Sequence, residues 1–354
     1  MSKSAGAGPP LPRPPTIYDV AERAGVAAST VSRAFARPGR VNSLTAERIR
    51  TAAVALGYRT HSLAPAAPTG RTSILAISVS DVTNPFYADI IRGAQTAAAE
   101  AGFTLMLLDG QESYVLEREA VERAMSGIEG LVLASSRMSD TAIRTTAKQK
   151  PVVVLNRFVA EVPSLVTDNA GGVRQALEHL ARQQHRSVTY LAGPEASWAD
   201  GDRWRALRTM AAGLQIATRR IGPFPPTVKG GEAAAQPLQR HASTAVLAYN
   251  DQIAIGVIRS LTAAGFRVPA DFSVIGFDDI FASSLVTPAL TTIAAPLRQM
   301  GQVAVRNVLA IINGATPTAS EALVVPTRLI RRESTGRVNR PRLASHSAAR
   351  SIGR

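Results

Sequence analysis

The chain has 354 residues, 45% of them hydrophobic, and a net charge of +14 at pH 7, which is enough apolar material for the cores of two or three domains. It has no cysteine, which excludes a disulfide framework and a thiolate metal site. No apolar run reaches the roughly 18 residues of a membrane span. Residues 1–15 lack the apolar segment of a signal peptide, so we expect a soluble, cytoplasmic protein.

The positive charge is concentrated at the two ends of the chain. Residues 1–70 hold nine Lys or Arg against three Asp or Glu, and residues 331–354 hold seven Arg against Glu333. A basic N-terminal region favours a polyanionic partner such as nucleic acid. The basic tail, residues 335–354, has two interpretations, a contact role or simple solubility, because charged runs are commonly solvated.

Residues 1–15 are rich in Gly, Ala and Pro, and we predict that they are disordered. The next stretch, Thr16 to Ala36, begins with an apolar stripe at helical spacing, in which Thr16 and Asp19 are placed as a capping box. Gly25 permits a tight turn. A second short helix presents three hydroxyls and an arginine: Ser29, Thr30, Ser32 and Arg33. The pattern predicts a helix-turn-helix; the alternative is an ordinary helical hairpin in a core.

A third helix is predicted between Asn42, which can cap its start, and Gly57, which can end it. Three short helices around one small core make an all-α headpiece, residues 16–60. The following stretch, residues 61–72, reads HSLAPAAPTGRT and is interpreted as a linker.

From Ser73 onward, apolar strands alternate with amphipathic helices, which indicates parallel sheet. The segment SILAISVS is the first strand. The helices are predicted at 86–101, 115–125, near 141–147, 171–183, around 204–212 and 252–264, and the strands at 104–108, 130–134, 152–156, 188–192, 245–248 and 273–277. We expect two doubly wound α/β halves, with ligands bound beyond the carboxyl ends of the strands.

Polar residues follow several of these strands, where a cleft between the halves is expected. They are Asn84, Asn156 with Arg157, Asn250 with Asp251, and Asp278 with Asp279. Asn84 is alternatively part of a plain capping turn. Asp168, at the end of the first half, is equally well explained as a cleft residue or as a helix cap.

The sequence contains no pattern typical of a catalytic or cofactor site. Its five histidines lack metal-ligand spacing, and no phosphate-binding Gly-Lys loop, dinucleotide fingerprint or nucleophile elbow is present. Asp278 and Asp279 are adjacent at a strand end, where neighbouring side chains point in opposite directions. We therefore expect no catalytic residue, metal site or cofactor.

The sequence of the helix-turn-helix closely resembles the headpiece of the LacI/GalR (lactose-repressor) family. The resemblance rests on the motif D-V-A-x-x-A-G-V-A-x-S-T-V-S-R together with Tyr58. Residues 73–334 resemble the periplasmic-binding-protein-like core of the same repressors. The resemblance implies chain crossings near 166–169, 291–296 and 318–323. The N-subdomain would then comprise about 73–166 and 296–318, and the C-subdomain about 169–291 and 323–334.

The resemblance also implies DNA-binding roles in the headpiece. Ala28, Ser29, Ser32 and Arg33 would face the bases, and Arg33 could take a guanine bidentately. Ile17 belongs to the same set. Thr16, Thr30, Asn42 and Tyr58 would hold phosphates. The segment 61–72 corresponds to a hinge whose usual minor-groove leucine is Ala67 here; a proline, Pro65, precedes it, and Leu63 remains as an apolar contact.

In the core, the resemblance implies an effector site and a homodimer. The tail has no apolar heptad, so we expect no coiled-coil tetramer seam. The implied effector ligands are Asn84, Phe86, Asn156, Arg157, Asp168, Trp198, Arg203, Asn250 and Asp278. Trp204 is expected in the core. The predicted function is a repressor of a carbohydrate-utilisation operon that binds operator DNA and a small-molecule effector, expected to be a sugar. The alternatives are a transport-type sugar receptor, which would need an export signal and no headpiece, and an α/β enzyme acting on a carbohydrate or nucleoside with Asp278 or Asp168 as base.

Overall fold

A computed structural model describes residues 15–36, 40–56, 58, 72–240, 243–316 and 321–338. The chain divides into two compact units, residues 1–71 and 72–354; below, the headpiece means the described residues up to Tyr58 and the core those from Thr72. The predictions for residues 1–14, Leu63, Pro65, Ala67 and the tail beyond Val338 lie outside the described residues. Within those that are described, no helix is long and apolar enough to cross a membrane.

The headpiece consists of three helices, α1 (Ile17–Ala24), α2 (Ala28–Ala36) and α3 (Ser43–Leu56). They enclose a small apolar core centred on Val20, Val31 and Ile49. Gly25 takes the left-handed conformation, with φ of 66°, that the turn between α1 and α2 requires. The structure confirms the helix-turn-helix that the sequence predicts.

The first half of the core is a six-stranded, all-parallel sheet in the order β11-β5-β4-β3-β1-β2. Its strands are β1 (Ile74–Val79), β2 (Thr104–Asp109), β3 (Gly130–Ala134), β4 (Val152–Leu155), β5 (Ser164–Thr167) and β11 (Leu323–Val325). Its helices are α4 (Phe86–Glu100), α5 (Tyr114–Ala124), α6 (Asp140–Ala147) and α11 (Leu297–Ile312). A buried apolar cluster below the sheet includes Leu131, Leu133 and Val154.

The second half is another six-stranded sheet, ordered β12-β10-β9-β8-β6-β7, with only the edge strand β12 antiparallel. Its strands are β6 (Ser187–Leu191), β7 (Ala217–Ile221), β8 (Ala245–Ala248), β9 (Ser273–Phe277), β10 (Thr291–Ala294) and β12 (Arg328–Ile330). Its helices are α7 (Asn169–Arg182), α8 (Trp198–Gly213), α9 (Val228–Gln239) and α10 (Asp251–Ala263). This arrangement confirms the predicted pair of α/β halves.

Two predicted boundaries are wrong. Helix α8 begins at Trp198, six positions before the predicted start, because the Ser197 hydroxyl accepts the Asp200 N–H and caps the helix there. The third crossing lies after Val325, because β11 pairs in parallel with β5 in the first sheet and β12 pairs with β10 in the second. Residues 323–325 therefore belong to the first half.

Candidate functional site

Helix α2 presents an exposed polar face made of Ser29, Ser32 and Arg33. The Arg33 Nε donates to the Ser29 carbonyl at 3.1 Å, and its Nη2 donates to the Ser29 hydroxyl at 3.3 Å. The guanidinium therefore lies along its own helix and keeps further N–H donors for an outside acceptor. Ala28 and Thr30 are half-buried at the edge of this face.

Four other predicted DNA contacts, Thr16, Ile17, Asn42 and Tyr58, help to hold the headpiece together. Thr16 donates to the Asp19 carboxylate through its N–H at 2.5 Å and its hydroxyl at 2.6 Å. The exposed Asn42 accepts the Leu44 N–H at 3.0 Å at the start of α3. Ile17 and Tyr58 pack against the apolar core. The predicted set thus combines exposed donors with residues that fix the helix ends.

In the core, twelve residues from both halves converge on one small cavity of about 10 Å³, so the two linings lie close together, and a ligand that needs a pocket of ~300–1,000 Å³ requires them to separate. We call it the cleft. It is lined by Asn84, Phe86, Tyr87, Glu112, Ser135, Arg137, Asn156, Arg203, Pro226, Tyr249, Asn250 and Asp278. Most of them follow the carboxyl end of a strand, where ligands bind in open α/β sheets.

Arg203 is the central polar group on the side of the second half. Its Nε donates to Asn169 Oδ1 at 2.9 Å, its Nη1 donates to the Tyr249 carbonyl at 2.5 Å, and its Nη2 lies 3.8 Å from Asp278 Oδ1. The guanidinium carbon is 3.4 Å from the centre of the Phe277 ring. The Arg203 side chain is only 3% exposed, so its geometry is fixed before any ligand arrives.

Asp278 is the buried carboxyl of this site, with 8% of its side chain exposed. Burial raises its pKa well above the ordinary value; Arg203 acts in the opposite direction, and Asp251 adds to the rise. Asn250 caps α10, accepting the Ile253 N–H at 2.9 Å and donating to the Pro226 carbonyl at 3.0 Å. The second half therefore offers a carboxyl, an amide and a guanidinium at one place.

On the side of the first half, Asn84 and Asn156 line the cleft as predicted. Asn84 Oδ1 accepts the Phe86 N–H at 3.1 Å, so it also forms the capping turn that was the alternative. The amide of Asn156 bridges the Ser135 hydroxyl and the Thr167 hydroxyl. Tyr87 is fully buried beside them, and burial raises the pKa of its phenol.

Backbone strain is concentrated in the lining of the cleft. Four lining residues that are not glycine have positive φ: Glu112 (55°), Ser135 (57°), Asn156 (57°) and Asp278 (121°). Such conformations cost on the order of 1–3 kcal/mol each and persist where the surrounding structure imposes them, commonly at binding sites. Strain of this kind makes the cleft a candidate functional site.

Three predicted effector ligands do not line the cleft. Arg157 donates to the Ser136 and Met138 carbonyls and pairs with Asp140 at 2.6 Å, so it fixes the start of α6. Asp168 caps α7 by accepting the Gly171 N–H at 2.7 Å. Trp198 is half-buried as the first residue of α8. Local hydrogen bonds therefore hold Arg157 and Asp168 away from the lining.

The structure assigns clear positions to the neighbouring acids and to Trp204. Asp251 is buried and accepts from the Ile280 N–H and from the hydroxyls of Ser283 and Thr292, which is a structural role. Asp279 pairs with Arg332 at 2.6 Å instead of converging with Asp278. Trp204 stacks on Tyr190, with ring centres 5.9 Å apart.

Sequence reasoning missed six residues of the cleft: Tyr87, Glu112, Ser135, Arg137, Pro226 and Tyr249. Ser135 and Arg137 directly follow β3, and Tyr249 directly follows β8. The rule that selected Asn156 and Asp278 therefore also applies to these three. Among the residues that the structure describes, no group of three His, Cys, Asp or Glu is placed to hold a metal ion.

Both compact units of the chain match known protein families. Residues 16–61 match the lacI family of bacterial regulatory proteins, and residues 177–335 match the periplasmic binding protein-like domain. The transcriptional regulator CelR of Thermobifida fusca is 32% identical, over 91% of this chain and 98% of its own. The transcriptional repressor CytR of Escherichia coli K12 is 30% identical, over 90% of this chain and 96% of its own.

Two solved structures are similar along most of the chain. A lac repressor dimer bound to operator and an anti-inducer has a TM-score of 0.77 at 27% identity and covers 92% of this chain and all of that one. A complex of CelR with cellobiose has a TM-score of 0.67 at 30% identity, covering 90% of this chain and 99% of that one. The named relatives are regulators of transcription.

Proposed function

Because the chain belongs to the lacI family of bacterial regulatory proteins, it is a DNA-binding transcriptional regulator, and we propose the details of how it works. The protein represses a carbohydrate-utilisation operon in the cytoplasm. A homodimer binds operator DNA through two headpieces. A sugar bound in the cleft of each core changes the affinity for the operator.

Operator reading rests on the exposed face of α2. Ser29, Ser32 and Arg33 lie on one side of a helix that is free to enter a major groove. Arg33 takes guanine O6 and N7 with two N–H donors, worth about 1–3 kcal/mol of discrimination. Phosphate contacts come from Thr16, Thr30, Asn42 and Tyr58, and they fix the register of the headpiece on the duplex.

Sugar binding is supported by one observation above all: the cleft joins hydrogen-bonding groups from both sheets in one buried space. A sugar ring needs donors and acceptors around its hydroxyls and an apolar surface along its face. Arg203, Asp278 and Asn250 supply the polar groups, and Tyr249 and Phe86 supply aromatic surface. CelR, a relative of this chain, has been solved with cellobiose.

Dimer formation is supported by apolar side chains left exposed on both halves of the core. In the first half these are Met106 and Leu107 on β2 and Tyr114, Val115 and Leu116 at the start of α5; in the second half they are Phe281 and Leu285. Exposed apolar surface of this kind is typical of an interaction site. A two-fold dimer burying both groups would match the symmetry of a pseudo-palindromic operator.

Regulation follows from a difference in affinity between two arrangements of the core. A sugar touching both sheets stabilises the arrangement in which the two linings are correctly spaced, and it shifts the equilibrium only as far as it prefers that state. Couplings of this kind are typically ~1–3 kcal/mol.

The test is a thermal-shift screen of the full chain against neutral mono- and disaccharides, with Asp278→Asn as the matched variant. A ligand at 100 times its Kd stabilises the folded state by about 2.7 kcal/mol. We expect a sugar that raises the melting temperature of the wild type and leaves the variant unchanged. A screen in which no sugar shifts the wild type, or in which both proteins respond equally, contradicts the proposal.

A further inference from the structure

Glu112 and Arg137 form a buried ion pair in the cleft, in the half that faces Arg203 and Asp278. The Arg137 Nε and Nη2 both lie against the same Glu112 Oε2, at 2.8 and 2.7 Å, and Nη1 donates to the Ser135 carbonyl at 3.2 Å. The Arg137 side chain is 4% exposed and the Glu112 side chain is 22% exposed. These contacts leave two of the five N–H donors of Arg137 for a ligand.

Both residues are held in place by the backbone around them. The Arg137 N–H donates to Glu117 Oε2 at 2.7 Å, and the Glu112 N–H donates to the Ser80 carbonyl at 2.5 Å. Gln111 and Glu112 both have positive φ, 47° and 55°, an arrangement that L-residues adopt only under constraint. The pair is therefore part of a preorganised site, unlike the exposed pair of Arg118 and Glu122 on α5.

On the side of the first half, the positive charge of Arg137 is balanced by Glu112. On the side of the second half, Arg203 lies 3.8 Å from Asp278, and the other eight residues of the lining include no Lys, Arg, Asp or Glu. An anionic ligand beside Arg137 would place a second negative group next to the Glu112 carboxylate, in a site where little water is present to compensate the charges. A hydroxyl group has no such cost, because it donates to a carboxylate and accepts from a guanidinium.

We propose that the Glu112–Arg137 pair selects the chemical class of the effector: it admits an uncharged polyhydroxylated ligand and rejects sugar acids and sugar phosphates. This inference rests on the proposed function of the cleft. The Glu112 carboxylate pairs with the Arg137 guanidinium, so the positive charge of Arg137 is not available to an anionic ligand. The two remaining N–H donors of Arg137 bind hydroxyl oxygens of the neutral sugar.

The experiment is calorimetric titration of the full chain with matched neutral and anionic sugars: glucose against glucuronate, galactose against galacturonate, and ribose against ribose 5-phosphate. Among these three sugar pairs, we consider the one with the highest affinity. In that pair we expect the neutral sugar to bind at least about tenfold more tightly than its anionic counterpart. Glu112→Gln keeps the size of the side chain and removes its charge, so its ratio of neutral to anionic affinity should fall by about tenfold or more.

Two controls separate charge from general damage. Glu112→Asp keeps the carboxylate and should retain the preference for the neutral sugar. Glu122→Gln removes an equivalent charge from the exposed pair on α5 and should leave the ratio unchanged. Wild-type protein that prefers the anionic sugar, or a Glu112→Gln ratio equal to the wild type, overturns this inference while the cleft remains a sugar site. Binding of neither class overturns the proposed function and this inference together.

Discussion

The exposed face of α2 and the cleft are built in opposite ways. The face lies within nine consecutive residues, and its polar side chains, Ser29, Ser32 and Arg33, are open to solvent with few tertiary contacts. The cleft gathers residues between Asn84 and Asp278 from loops of two sheets, and its polar groups are buried and bonded to one another.

In the cleft the same side chains serve ligand binding and folding stability, whereas on α2 the side chains that bind DNA contribute little to stability. Removing an exposed donor from α2 leaves no buried group unpaired, so it should change recognition alone. Removing a group from the cleft leaves its partners unsatisfied in a water-poor site, so it should change binding and folding together. Substitutions in the two regions test this contrast.

Arg203→Met should give the largest effect. The change removes donors to Asn169 and to the Tyr249 carbonyl and leaves Asp278 without its cation, and breaking a buried pair typically costs about 3–5 kcal/mol. Urea unfolding should show a drop of that size in the free energy of unfolding, with loss of sugar binding. Arg205→Met, on the same helix and 74% exposed, is the control and should stay within about 0.5 kcal/mol. If Arg203→Met loses sugar binding and keeps the wild-type free energy of unfolding, binding and stability are not coupled in the cleft.

Arg33→Ala should reduce operator affinity by about 1–3 kcal/mol without changing stability. Among the described residues, its side-chain hydrogen bonds run to Ser29 on the same exposed face. Fluorescence anisotropy should show the loss on operator DNA, with a much smaller change on random duplex. Arg50→Ala, on the exposed side of α3, removes the same charge and should lower both affinities equally. If Arg33→Ala has the same ratio of operator affinity to random-duplex affinity as the wild type, this face of α2 does not read bases.

Acid should destabilise the core through His185. This ring is buried, with Nδ1 at 2.8 Å from the Thr244 hydroxyl and Nε2 at 3.1 Å from the Gly336 carbonyl, and burial lowers its pKa below the ordinary 6.5. The unfolded chain therefore binds the proton more readily, so stability falls as the pH drops below about 6.5, by no more than about 1.4 kcal/mol per pH unit for this proton. Unfolding in urea at pH 7.5 and 5.5 measures the slope, and His185→Asn should flatten it. An equal slope in the variant would assign the effect to other groups.

Thr16→Ala should give the smallest effect, confined to the headpiece. It removes the hydroxyl that donates to Asp19 at the start of α1, and loss of such an N-terminal cap costs about 1 kcal/mol. Amide hydrogen exchange in α1 should accelerate by about fivefold, whereas the strands of the core serve as the internal reference. Faster exchange in the core would contradict the independence of the two regions.

The sequence predicts the elements whose signal is local. The helix-turn-helix and the buried strands β1, β3 and β8 are apparent because each has a complete apolar pattern in a few residues. Edge strand β7 reads ATRRI and lacks that pattern. Helix α9 contains two glycines and Pro237, and strands β11 and β12 have three residues each. These elements form because neighbouring strands and helices support them, which their own residues do not reveal.

The sequence predicts where the cleft lies, but it does not predict which side chains line it. The carboxyl ends of the strands locate it, and they identify Asn84, Asn156 and Asp278. They do not distinguish a side chain that reaches the cleft from one that bonds elsewhere. Arg157 follows β4 just as Arg137 follows β3, yet Asp140 and two carbonyls hold Arg157 outside the lining. Glu112 lies in a strained loop whose conformation no local pattern indicates.

The most direct test of the account is the affinity of the full chain for its operator, selected from random duplex DNA, with and without the sugar that stabilises the core. We predict that the sugar changes the operator Kd of the wild type by about 5–150-fold. Asp278→Asn should bind the operator like the sugar-free wild type and ignore the sugar. If the sugar binds the wild type in calorimetry and its operator Kd stays the same, the cleft does not control DNA binding.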